Sequence, residues 1–138
     1  MKSSQGIVFL AMFLACSAVM AGETITALEV EGYFYSDGKM KRSEGQFENT
    51  YYLDGDTITR TRVYDRNRKE VIPDNTVYRI QRQLSSDPSR GLYPNPVIRA
   101  IGQPGADAVE IITIGDTYVQ AVKSTSDYFV IQRYKRVK

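Results

Sequence analysis

The stretch TYYLDGDTITRTRVYD, residues 50–65, sets aromatic, β-branched and arginine residues in alternation on both sides of an Asp-Gly pair. Alternation of period two predicts two half-buried strands, and Asp54-Gly55 predicts a two-residue type I′ loop with the glycine at positive φ. With that loop Leu53 opposes Asp56, Tyr51 opposes Ile58, Asn49 opposes Arg60 and Phe47 opposes Arg62. Opposed residues of an antiparallel pair share a face. One face then gathers Phe47, Tyr51, Leu53, Ile58, Arg60, Arg62 and Tyr64; the other gathers Glu48, Thr50, Tyr52, Thr57, Thr59, Thr61 and Val63. The first is the more apolar, so it is expected inside, arginines included.

The same signals recur along the chain from Ile25. Runs rich in Val, Ile, Thr, Tyr and Phe alternate with SDGK, LDGD, DRNRKEVIPDN, SDPSRGLYPNP, QPGAD, GD and TSD. Eight strands are predicted, near residues 25–35, 46–53, 57–65, 76–85, 97–102, 108–114, 117–124 and 128–137. No segment holds a three-four apolar spacing, so no long helix is expected; a short helical turn is allowed over residues 37–45. Eight short strands with mostly tight connections predict an all-β, eight-stranded antiparallel up-and-down barrel, which closes on itself and leaves no unpaired edge. A β-sandwich is the alternative, and needs longer crossings than most of these loops supply.

Tyr78, Ile80 and Leu84 are expected to carry Arg82 inward, and Phe129, Ile131 and Val137 to carry Arg133. Residues 108–114 are too uniformly apolar for a face to be assigned. A buried guanidinium without a partner is costly. Two readings of the inward arginines follow. In one they sit at a barrel end, stems packed on tyrosines and heads reaching water or a carboxylate such as Glu110. In the other Arg60, Arg62, Arg82 and Arg133, with Tyr64 and Tyr78, line a pocket for the anionic head of a small amphiphile, such as a fatty acid or lipid.

Residues 1–21 read as a signal peptide. Lys2 supplies the positive start, Ile7 to Ala15 an apolar core too short for a membrane span, and Val19-Met20-Ala21 a small-residue cleavage site. The alternative is a lipid anchor at Cys16, since Phe13-Leu14-Ala15-Cys16 approaches a lipobox. Residues 22–138 then form a single exported domain without a disulfide or a transmembrane segment, a pattern suited to a bacterial periplasm. The chain of 138 residues has a formal net charge of +2, which offers nucleic acid no clustered basic surface.

There is no histidine, and the one cysteine lies in the leader. Ser-His-Asp and Cys-His catalysis and the usual zinc sites are excluded on that ground, and no phosphate-binding glycine loop is present. Asp54 and Asp56 belong to their turn. No catalytic residue, metal ligand or cofactor site is assigned, and a non-enzymatic protein is expected. The loop SSDPSRGLYPNP has its own two readings: Leu92 and Tyr93 plug a barrel end, or Arg90, Leu92 and Tyr93 present an anchor to an envelope protein partner.

Gly32-Tyr33-Phe34 in the first strand resembles the Gly-x-Trp of lipocalins and the wider calycin superfamily, with Phe34 at the Trp position. Arg133 in YFVIQRY is similar to the late-strand arginine that packs across that residue and closes one barrel end. The resemblance spans most of residues 22–138 by strand count, lacks the tryptophan and the C-terminal helix, and implies an up-and-down barrel holding a small apolar ligand. Under it Arg133 is structural. The competing function is a solid-cored barrel that acts through its outside, as an inhibitor, assembly factor or accessory subunit. A hollow core distinguishes the first from the second.

Overall fold

The structure, a computed structural model, describes residues 22–84 and 97–137, without the side chains of residues 82–84. The leader with Cys16, the loop residues Arg90, Leu92 and Tyr93, and the side chain of Arg82 lie outside it. Ten strands and no helix form among the described residues. They are β1 (Glu23–Ser36), β2 (Lys39–Ser43), β3 (Phe47–Asp54), β4 (Thr57–Asp65), β5 (Glu70–Ile72), β6 (Val77–Leu84), β7 (Val97–Gly105), β8 (Ala108–Ile114), β9 (Tyr118–Ser124) and β10 (Tyr128–Val137). Strands β1, β3, β4, β6, β7, β8, β9 and β10 pair antiparallel in chain order, and β10 returns to β1. This is the expected closed, eight-stranded up-and-down barrel.

Strands β2 and β5 are additions at one end. Strand β1 pairs with β3 through its first half and with β2 through its second. The helical turn allowed over residues 37–45 is therefore a hairpin instead. Asp37 and Gly38 turn it with φ of 51° and 70°, both positive as a type I′ loop requires. Among the described residues strand β5 pairs only with the end of β4.

The 50–65 hairpin keeps the expected parity with a shifted loop. Asp54 pairs with Thr57, Leu53 with Ile58 and Tyr51 with Arg60, so Gly55 and Asp56 form the turn. Only Gly55 has positive φ there, at 59°, which is the type II′ pattern rather than I′. Shifting the loop by one residue moves the sum of paired positions by two, so the same side chains still face together. Leu53, Tyr51, Ile58 and Arg60 all point inward and are buried.

Beyond Arg60 the parity breaks. Arg62 pairs with Thr50 directly after the Tyr51–Arg60 pair, leaving Thr61 as an extra residue in β4. This bulge turns the rest of the strand over. Val63 and Asp65 face inward, while Arg62 and Tyr64 stand on the outer wall, against the expectation for both. Strand β10 also presents its other face: Val130 and Tyr134 are buried, and Arg133 is exposed.

The interior is solid in one half and hollow in the other. Ile25, Ala27, Leu53, Ile58, Ile112, Ile114 and Val119 fill the end near the start of β1, with the Tyr51 and Tyr78 rings packed among them. The far end, where the β1–β2 hairpin and the Tyr128 end of β10 project, encloses open space. Among the described residues no helix is long and apolar enough to cross a membrane.

Candidate functional site

The hollow half holds a cavity of about 500 Å³, within the range of small-molecule sites. Register gives it depth. Cross-strand partners run from Tyr78 to Gly102, Glu110, Lys123, Val130, Phe34 and Lys41 in an inward row that climbs from core to mouth. Tyr78 at its start is fully buried; Phe34 and Lys41 at its end are exposed. Phe47, Val63, Ile72, Val130 and Tyr134 give the middle of the cavity its apolar wall, and Asn49, Arg60 and Glu110 form the floor.

The floor is an ion cluster. Arg60 donates from Nη1 to both oxygens of Glu110 at 3.0 and 3.1 Å, and from Nη2 to Asp74 Oδ2 at 2.7 Å. The Tyr78 hydroxyl donates to Glu110 Oε2 at 2.8 Å. Gly102 makes this possible: a Cβ there would lie 2.7 Å from the Tyr78 ring. Burial pushes the Arg60 guanidinium down, but the bond to Asp74 and the charge of Glu110 outweigh it and hold the proton more firmly than usual. Burial pushes the Asp74 carboxyl up, yet bonds from Arg60 and the Thr76 N–H bring it below the usual range. Burial raises the Tyr78 hydroxyl well beyond an ordinary phenol, so it remains a donor. Two carboxylates already answer the charge of Arg60. The expectation that an inward arginine meets Glu110 holds; its head is not free to bind an external anion.

The other expected site residues do not converge here. Arg62 lies on the outer wall, donates to Glu48 at 2.9 Å and sits 4.8 Å over the Tyr64 ring. Arg133 is two-thirds exposed and donates to Glu31 at 3.0 Å. It does not pack across Phe34, which stacks at 5.2 Å on Tyr128 instead. Of the six residues expected around a ligand, Arg60 lines the cavity and Tyr78 supports its floor.

The mouth carries cations that sequence reasoning passed over. Lys123 lies 5.4 Å from the Tyr128 ring, and Lys41 is exposed across from Phe34. Arg42 stands beside them but reaches Glu31 and Glu44 at 3.9 Å. Lys123 was legible in principle, because it alternates with the buried Ala121 and Val119. Asn49 was too, on the parity of Tyr51. Asp74 sits in an irregular connection, where no periodicity marks it. Among the described residues no cluster of three or more acidic, histidine or cysteine side chains could hold a metal ion. No family model, curated protein or solved structure matches the chain.

Proposed function

We propose that this is an exported, non-enzymatic binding protein that holds a small anionic amphiphile in the open half of its barrel. The observation that carries the reading is the cavity of about 500 Å³, apolar along its wall and cationic at its mouth. At roughly 30 Å³ per heavy atom, the liquid share of a water, it takes about seventeen non-hydrogen atoms, room enough for a medium-chain fatty acid. The anionic head rests at the mouth between Lys41 and Lys123, and the chain lies along Phe47, Val63, Val130 and Tyr134. Head-down binding is disfavoured, because two floor carboxylates already surround the one guanidinium there.

Displacement of the dye 1-anilinonaphthalene-8-sulfonate by dodecanoate tests this. Dodecanoate should displace the dye, and the double variant Lys41→Glu, Lys123→Glu should weaken it about tenfold or more, as loss of two charge contacts implies. No displacement near the solubility limit, or equal affinity in the variant, would reject the arrangement. A second reading, an interaction module acting through its outside, is favoured by one feature. Ile101, Ile111, Val122 and Ile131 are successive cross-strand partners on the outer wall, and Ile101 and Ile111 are more than a third exposed. Failure of dodecanoate to bind would leave that reading standing.

A further inference from the structure

Strands β7 to β10, with β2 and the second half of β1, carry an apolar band on the convex side of the barrel. Ile101, Ile111, Val122 and Ile131 form one row of cross-strand partners. The row beside it runs through Val109, Ser124, Phe129, Tyr35 and Met40. Ile101, Ile111, Val109, Phe129, Tyr35 and Met40 are each more than a third exposed. Single exposed apolar side chains are ordinary, whereas two adjoining rows of them mark a surface that something covers.

The charge around this band is one-sided. Arg79 pairs with Ile101, Arg99 lies two residues before Ile101 on β7, and Arg133 and Lys135 follow Ile131 at alternate positions on β10. All four are exposed. Among the described residues Glu31 is the one acid at an outward position of these strands, meeting Arg133 at 3.0 Å, and Asp107 and Asp127 lie in the turns at the margin. The surplus is local, since the whole chain carries only +2; on the wall across the barrel Arg62 and Glu48 answer each other at 2.9 Å.

We infer that this face docks on an anionic lipid surface. The inference goes beyond the amphiphile reading and does not depend on it, because none of the band residues or the four cations lines the cavity. Side chains on a strand are long enough to enter the boundary between headgroups and acyl chains. The arginine and lysine stems lie along the band while their heads reach lipid phosphates. A protein partner would need a pocket to seat its anchor side chains, and a convex wall offers none, whereas a lipid surface conforms to that shape. A second copy would set the same cations against each other.

The test uses the chain without residues 1–21, which keeps every described strand. The sequence has no tryptophan, so a single introduced one reports its own surroundings. Ile111→Trp places it in the band on β8. Tyr52→Trp places it on the outer wall of β3, where Tyr52 is also more than a third exposed, diametrically across the barrel from β8. With vesicles of equal parts phosphatidylcholine and phosphatidylglycerol, the emission of Ile111→Trp should shift to the blue and that of Tyr52→Trp should not. Phosphatidylcholine alone should shift neither. Arg99→Gln combined with Lys135→Gln should weaken co-sedimentation with the mixed vesicles about tenfold or more, the loss of two surface cations, and leave displacement of the dye by dodecanoate unchanged. Absence of binding to the mixed vesicles, equal shifts at the two positions, equal binding to the neutral vesicles, or undiminished binding of the double variant overturns the docking face and leaves the cavity reading as it stands. A blue shift of Ile111→Trp that grows with protein concentration without lipid assigns the face to a second copy and overturns it as well.

Discussion

Arg60 shows how one residue converts a strand position into a support for the barrel. Its side chain links β4 to Glu110 on β8 and to Asp74 in the β5–β6 connection, so three separate segments meet at one guanidinium. Removing it leaves Glu110, only 2% exposed, as a buried charge answered by a single phenol. Arg60→Ala should therefore cost about 3–5 kcal/mol, the usual result of breaking a buried pair from one side. Arg60→Met combined with Glu110→Leu should recover most of that loss, because apolar replacement of both partners removes the stranded charge. Arg62→Ala serves as the control: its partner Glu48 is solvated, and the change should cost less than about 1 kcal/mol. Urea denaturation of the three variants measures all of this. A loss for Arg60→Ala no larger than that for Arg62→Ala would show that the floor cluster does not hold the fold. That Arg60 would be inward was legible from the alternation Ile58, Arg60 across the turn from Tyr51. Arg62 was misplaced because the extra Thr61 has no signature: a threonine suits a bulge no better than a regular strand position.

At the scale of elements, the long β1 serves two partners because Glu29 manages the break between them. Strands β2 and β3 lie along β1 in succession, separated by Glu44, Gly45 and Gln46. There the N–H groups of Gln46 and Phe47 have turned away from the ladder. The buried Glu29 carboxylate accepts both, at 2.9 and 3.0 Å, and takes the Ser43 hydroxyl on its other oxygen. Gly32 leaves the room this needs, since a Cβ would collide with Glu29 and Ser43. The glycine read as part of a family motif thus has a local steric reason. Glu29→Ala should strand those two N–H groups at a cost of about 1–3 kcal/mol. It should also speed hydrogen exchange at Gln46 and Phe47 ahead of the rest of β3. Unchanged protection at those two amides would mean that the carboxylate is not what holds the bend. The eight barrel strands were legible to within a few residues, since turn residues bracket nearly every run, whereas the short β2 and β5 were read as a turn and a loop. The inward face of β10 was not: Phe129 and Ile131 on one side weigh as much as Val130 and Tyr134 on the other, and only closure against β1 selects between them.

Over the whole molecule, the division into a packed half and an open half separates what keeps the barrel folded from what it can hold. Val119, Ile112 and Ile58 are fully buried among neighbours, whereas Val63 stands partly exposed on the cavity wall. Truncation in the packed half removes contacts that nothing replaces. Ile112→Ala should cost about 2–5 kcal/mol and leave the dodecanoate affinity of the folded protein within about twofold, because Ile112 does not line the cavity. Enlargement in the open half has room to proceed without strain. Val63→Phe should raise stability by about 0.5–2 kcal/mol, as cavity filling commonly does, while weakening dodecanoate by tenfold or more. The opposite signs are the diagnostic. A barrel whose open half were only imperfect packing would gain stability from Val63→Phe and lose no ligand. A site kept open for an occupant gives up binding in the same step, and thermal melts beside dye displacement on the two variants read both quantities.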